Sequence, residues 1–202
     1  MSLHHSVRLD EDKCRGCTNC LKNCPTEAIR IKNGKAFIIE ERCVDCGACI
    51  RRCPFRAKKA YSDNLAVLEG FDYTVALPAP ALYGQFPQGT TVDDVLEGLV
   101  RLGFDDTREV AFAAEAVSRA TRRYREQHHD EDALISSSCP AVVRLIRNRF
   151  PDLLDRIIPL RSPMEIAARV ARAATAERSA RGEKVGVFFI SPCAAKVTAT
   201  RD

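Results

Sequence analysis

The sequence has no apolar run able to cross a bilayer: its longest late stretch, Val185 to Ile190, falls far short of the about 20 residues a spanning helix needs. It has no export signal either, because its start, MSLHHSVRLDEDK, lacks an apolar central segment. Both absences argue against a membrane role and lead us to expect a cytoplasmic protein. Aromatic residues are scarce, at 6% of 202 residues. The densest basic stretch, Arg51, Arg52, Arg56, Lys58 and Lys59, has only Phe55 beside it as a stacking surface, which argues against nucleic-acid binding. Disorder is not expected, since 46% hydrophobic content can build a core and the length suits one ordinary domain plus a small one. His4 and His5 are read as part of a mobile terminus rather than as ligands.

What the chain has in quantity is cysteine. Without export signals, ten cysteines argue against disulfides, because the cytosol keeps thiols reduced. Eight of them fall between positions 14 and 53, and Cys139 and Cys193 stand alone downstream. Cys14, Cys17, Cys20 and Cys24-Pro25 recur as Cys43, Cys46, Cys49 and Cys53-Pro54, each shifted by 29 residues. Three closely spaced thiolates can wrap three iron corners of a 4Fe-4S cubane while loop amides face its sulfurs. The fourth iron needs a ligand from elsewhere, and in a duplicated two-cluster fold the cysteine before each proline serves the opposite cluster. The expected sets are therefore Cys14, Cys17, Cys20 and Cys53 for one cluster, and Cys43, Cys46, Cys49 and Cys24 for the other. Zinc would have little use for a third cysteine at the same spacing in both halves. With two clusters bound, the formal charge of +4 falls to about zero.

Between the repeats, Asn33-Gly34 supplies the positive-φ pair of a two-residue hairpin turn, so Ile29 to Ile39 reads as two short antiparallel strands. Gly16 and Gly47 lie inside the cysteine loops, where a missing Cβ lets the backbone approach inorganic sulfur. The motif resembles that of bacterial two-cluster ferredoxins over about residues 6 to 60, which implies electron transfer and an α+β ferredoxin-like domain at 1–60.

A second domain, 61–202, is expected to be α/β, because strands and helices alternate. Tyr73 to Leu77 reads as a strand stopped by Pro78 and Pro80. Thr91 and Asp94 cap a helix that ends near Gly103, and Arg108 to Ala111 reads as a short strand before a helix at Phe112 to Gln127. Ala133 to Ser136 reads as a buried strand, and Pro140 to Arg149 as an amphipathic helix. Ser162 and Glu165 bracket Pro163 in a capping box for a helix reaching about Arg178, and Val185 to Ile190 is a buried strand. Cys139 and Cys193 would then lie just past the carboxyl ends of strands, where open α/β sheets collect ligands.

From Ser136-Ser137-Ser138-Cys139-Pro140-Ala141-Val142 and Ser191-Pro192-Cys193-Ala194-Ala195-Lys196, with Ala79-Pro80-Ala81, this part resembles the FeFe-hydrogenase large subunit. The resemblance spans residues 6 to 202 in order. It implies Cys139 and Cys193 as ligands in an H-cluster, Lys196 as a hydrogen-bond donor to a diatomic ligand there, and a redox partner protein or reductase. Catalytic members carry a proton-relaying cysteine where this chain has Ser138, and an alcohol does not form its anion near neutral pH. Ser191 replaces the family's methionine, and Ala120 and Thr121 occupy the region of its relay glutamate. These departures point to a sensory or low-activity branch, with a signalling domain attached. The family's last motif, with two more cysteines, is absent, so the 202 residues are expected to be the N-terminal part of a longer protein, inactive alone. The competing reading is a ferredoxin-type redox module fused to a non-catalytic, partner-binding α/β scaffold.

Overall fold

In a computed structural model of the chain, residues 5–128 and 133–201 are described. The elements run β1 (Val7–Leu9), α1 (Asn19–Lys22), β2 (Ile29–Lys32), β3 (Lys35–Ile38), α2 (Ala48–Arg52), β4 (Lys58–Ala60), β5 (Tyr73–Pro78), α3 (Pro80–Tyr83), α4 (Val92–Arg101), β6 (Asp106–Thr107), α5 (Val110–Gln127), α6 (Pro140–Arg149), α7 (Pro163–Ala174), α8 (Ala176–Ala180), β7 (Val185–Ile190) and α9 (Ala194–Ala199). Two compact units form. The first takes residues 1–62, 135–157 and 193–202 as far as they are described, and the second takes the described residues of 63–134 and 158–192. A single boundary near Tyr61 therefore captures only the first crossing of the chain between units.

In the first unit, β1 pairs antiparallel with β4 and β2 with β3. The duplication reaches the register itself. Val7 faces Ala60 and Leu9 faces Lys58 in one sheet, and 29 residues away Ala36 faces Ile31 and Ile38 faces Ile29 in the other. Asn33 (φ 50) and Gly34 (φ 72) make the hairpin turn that their sequence expects. Val7, Ile29, Ala36, Ala57 and Ala194 form a core with the thiols of Cys14, Cys20 and Cys49, so the cysteines are walled by aliphatic side chains.

The second unit centres on a parallel sheet in the order β6-β5-β7. Val75 and Leu77 pack against Val110, Ala113, Ala167 and Ala171 from α5 and α7, while Ala76 packs with Leu99 and Phe104 on the other face. Alternation along β5 sends its side chains to both helical layers, as in α/β folds generally. Thr91 with Asp94 and Ser162 with Glu165 close both expected capping boxes.

Four local expectations differ. The strand expected at Arg108 to Ala111 lies earlier, at Asp106–Thr107, because Val110 and Ala113 already turn one helical face into the core. Ala133 to Ser136 is no strand: a single parallel bridge joins Ile135 to Ile157, and the Ser138 amide donates to the Ser136 hydroxyl, curling the chain out of an extended ladder. The helix from Pro163 breaks at Thr175, whose hydroxyl donates back to the carbonyl of Ala171. After β7 the chain enters the helix α9, where a closing helix was not expected.

Candidate metal centres

The loops after β1 and β3 repeat their backbone as faithfully as the strands repeat their register. Positive φ occurs at Gly16, Thr18 and Glu27 (63°, 64° and 54°) and again at Asp45, Gly47 and Arg56 (52°, 71° and 50°), 29 residues later. Glycine stands at a different member of each set, so Thr18 and Asp45 hold a left-handed conformation that ordinary residues seldom adopt. Strain kept at matched positions around a cysteine loop is a mark of function. Gly16 has a second duty, since a Cβ there would lie 2.5 Å from the Gly34 carbonyl oxygen of the hairpin turn. Its close approach is thus to the turn, whereas a Cβ on Gly47 would meet only the Arg51 side chain, at 3.5 Å.

Two small cavities result. One is lined by Cys14, Cys17, Cys20 and Cys53 together with Leu9, Ile31 and Ala36. The other is lined by Cys24, Cys43, Cys46 and Cys49 together with Val7, Ile29 and Ile38. Each thus gathers three cysteines of one repeat and the pre-proline cysteine of the other. Backbone amides point at the sulfurs: Ala28 donates to Cys24 Sγ at 3.2 Å, Ala57 to Cys53 Sγ at 3.3 Å, and Ala36 to Cys14 Sγ at 3.5 Å. Four thiols, sulfur-directed amides and apolar walls fit a 4Fe-4S cubane, whose thiolates need donors and whose core needs shelter from water.

Burial pushes the Cys43 thiol up to about 12 and the Cys49 thiol up to about 11, and it raises Cys20 as well. Burial also raises Cys14, but the Ala36 and Gly16 amides and the cations Lys35 and Lys58 more than offset it, leaving that thiol below its ordinary value. Cys17 is exposed, so the first cavity reaches the surface.

Two residues that sequence reasoning passed over stand at these cavities. Asp45, whose side chain is 0% exposed, accepts hydrogen bonds from the Ser6 amide at 3.0 Å, the Val7 amide at 3.3 Å, the Thr198 hydroxyl and, at 3.4 Å, the Arg144 guanidinium. Lys58, counted above in the densest basic stretch, is 3% exposed and lines the first cavity. The repeat held the signal for both, because their counterparts 29 residues earlier are Gly16 and Ile29. His5 is likewise buried, with burial lowering its pKa, and this corrects its assignment to a mobile terminus; His4 lies outside the described residues. His5, Cys43 and Asp45 bring ligand atoms within 4.8 Å of one another, but the Asp45 carboxylate is already occupied by its donors.

Cys139 and Cys193 occupy equivalent places, as the extended N-caps of α6 (φ -107°, ψ 105°) and α9 (φ -92°, ψ 111°). These two helices pack together in the first unit. Cys193 does follow a strand, β7, but Cys139 follows only the bridge at Ile135, so the expected symmetry lies in the helix caps rather than in strand ends. Both cysteines are half-buried, as are Ser138 and Lys196. Thr121, on α5, donates its hydroxyl to the Val117 carbonyl at 2.8 Å.

Comparison with known proteins agrees with this geometry. Residues 6–54 match the 4Fe-4S dicluster domain, so the eight N-terminal cysteines belong to a two-cluster iron-sulfur domain. Residues 72–201 match the iron only hydrogenase large subunit, C-terminal domain. The chain is 31% identical over 212 residues to the periplasmic Fe hydrogenase large subunit of Nitratidesulfovibrio vulgaris, covering 95% of this chain and 50% of that protein. It is 25% identical over 200 residues to the NADP-reducing hydrogenase subunit HndD of Solidesulfovibrio fructosivorans, covering 94% of this chain and 31% of that one. Ferredoxin-2 of Desulfomicrobium norvegicum is 50% identical over 32 residues, 16% of this chain and 54% of the ferredoxin. The chain thus spans half the length of the first of these relatives and about a third of the second. No helix among the described residues is long and apolar enough to cross a membrane. A dicluster domain followed by a parallel α/β region, matched over 72–201, makes this chain a member of the iron-only hydrogenase large-subunit family.

Proposed function

We propose that the chain carries electrons between a redox partner protein or reductase and a hydrogenase-type site. On this reading Cys14, Cys17, Cys20 and Cys53 hold one cluster, and Cys24, Cys43, Cys46 and Cys49 hold the other. Cys139 and Cys193 contribute ligands to an H-cluster, with Lys196 as a hydrogen-bond donor beside it. When bound, the 4Fe-4S clusters supply one-electron storage at two neighbouring points. The exposed thiol of Cys17 marks the face where a partner would exchange electrons.

The observation that carries this reading is the shared carboxylate. Asp45 sits between Cys43 and Cys46 and binds Arg144 of α6 and Thr198 of α9, the two helices capped by Cys139 and Cys193. One buried side chain therefore ties the loop of the second cavity to both helices that begin at the downstream cysteines. The Ser6 hydroxyl adds a bond to the Ala194 carbonyl at 2.7 Å, at the first residue of α9. The relatives' names, a hydrogenase large subunit and an NADP-reducing hydrogenase subunit, fit an electron path linked to hydrogen.

Ser138 sets the expected turnover. A relay group works best with a pKa near the operating pH, and an alcohol fails that condition by many units. The protein is then a slow, sensory member of its family, serving a signalling segment rather than bulk hydrogen metabolism. We place the protein in the cytoplasm, where a reducing environment keeps cluster-ligating thiols available. In the protein that carries these residues, Ser138→Cys should raise hydrogen evolution per occupied active site by roughly 10²-fold. An unchanged rate at equal occupancy would contradict the sensory reading.

A further inference from the structure

The two halves of the iron-sulfur module repeat so closely that a departure from the repeat carries information. In β4, Lys58 faces Leu9; 29 residues earlier, Ile29 faces Ile38 in the equivalent register. Strand alternation turns both side chains inward, and both are 3% exposed. Ile29 is an ordinary wall of the second cavity, lined also by Cys24, Cys43, Cys46 and Cys49. Lys58 puts an ammonium at the equivalent wall of the first, beside Cys14, Cys17, Cys20 and Cys53.

That ammonium has no hydrogen-bond partner among the described residues, a distinction it shares only with His5 Nδ1 among their buried side-chain nitrogens and oxygens. An isolated buried cation is unfavourable unless its site supplies negative charge. Thiolates around a bound cluster supply it. The charge of Lys58 is felt at Cys14 and Cys20 of the first set and also at Cys49 of the second, but only the first cavity has Lys58 in its wall. The second cavity departs from the repeat in the opposite sense, for Asp45 adds a buried carboxylate where the first has Gly16, and Arg144, at 3.4 Å, balances it from a partly exposed position.

We infer that Lys58 sets the two clusters apart, holding the one at Cys14, Cys17, Cys20 and Cys53 at the higher reduction potential, so that a single electron in the module rests there. Reduction adds one negative charge to a cluster, and a fixed positive charge in a dry wall stabilises that state more than an isoleucine can. The exchange between the two singly reduced forms moves one electron and no proton or bond, with the electron supplied by a one-electron chemical reductant. An electron arriving from the side of Asp45 would then run downhill toward the surface at Cys17. The inference rests on the crossed ligand sets proposed above.

The test is a redox titration of the anaerobically reconstituted chain followed by paramagnetic resonance, with Cys17→Ser identifying the first cluster's signal. In the unsubstituted chain the signal appearing first on reduction should be the one that Cys17→Ser removes. Lys58→Ile, which installs the residue of the other repeat, should move the first electron's partition toward the second cluster by roughly tenfold or more, a change of about 59 mV in the difference of potentials. Lys58→Arg should keep the original order. Ile29→Lys should shift the partition the same way as Lys58→Ile, by raising the second cluster, and it answers the question if Lys58→Ile assembles poorly. An unchanged partition in either loaded variant, or a first signal that survives Cys17→Ser, overturns the inference. Failure of the ligand sets would look different, because Cys53→Ala would then remove the signal that Cys17→Ser spares.

Discussion

Replacing Asp45 by asparagine removes one charge and almost no volume, and asparagine accepts the left-handed backbone that Asp45 holds at φ 52°. Whatever is lost therefore comes from the charge and its hydrogen bonds. Both carboxylate oxygens accept from donors, namely the Ser6 and Val7 amides, the Thr198 hydroxyl and the Arg144 guanidinium, with Cys43 Sγ 3.9 Å from Oδ1. The new amide nitrogen must point its hydrogens at some of them, leaving at least one buried donor unpaired at about 1–3 kcal/mol. Breaking a buried charge pair from one side typically costs about 3–5 kcal/mol. The Arg144 side chain is 21% exposed and can turn toward water, which favours the lower end, and we take about 3–4 kcal/mol in all. At about 2–4 °C per kcal/mol for a chain of this size, the melting temperature should fall by roughly 6–16 °C. The assay is anaerobic melting of the cluster-loaded chain at one scan rate, followed by visible charge-transfer absorbance and by far-ultraviolet circular dichroism. A shift below about 2 °C would refute the view that Asp45 ties α6 and α9 to the cysteine loop.

Gly16 and Gly47 should respond unequally to alanine. Gly47→Ala faces only the strain of positive φ, about 1–2 kcal/mol, and should still load two clusters, whereas Gly16→Ala also drives a Cβ to 2.5 Å from the Gly34 carbonyl and should lose iron from the first site, as metal analysis would show. Cluster retention should also depend on pH. With Cys43 raised to about 12 and Cys49 to about 11, both are protonated in the cluster-free chain at neutral pH, so cluster binding releases protons and iron removal by a chelator should accelerate as pH falls from about 8 to about 6. For the cluster-free fold the sign is opposite: the raised thiols contribute stability that is fully present below their ordinary value of 9.0 and is lost as pH rises toward about 12.

The module at the N-terminus was legible because its constraints are local. Cysteine spacing, the Asn33-Gly34 turn and the 29-residue repeat act through neighbouring residues, and they reappear as cavities, hairpin and register. Capping boxes at Thr91 and Ser162 were legible for the same reason. What stayed hidden depends on partners distant in the chain. The inward turn of Lys58 follows from the pairing of β4 with β1, and charge alone reads as surface. Asp45 acquires its meaning from Thr198, 153 positions away. Similarly, Ile135 looked like part of a strand because the hydroxyl of Ser136 was not counted as a competitor for the backbone.

Cysteine exchange between the halves is the most direct test of the account. The reconstituted chain should hold about eight iron and eight sulfide, and Cys24→Ala should damage the cluster at Cys43, Cys46 and Cys49 while sparing that at Cys14, Cys17 and Cys20. Paramagnetic resonance of the reduced variant separates the outcomes, with Cys17→Ser as the reference for the first cluster's signal. The account predicts that the signal absent from Cys17→Ser persists in Cys24→Ala; its loss from both variants, or a chain that binds zinc without visible absorbance, would contradict it.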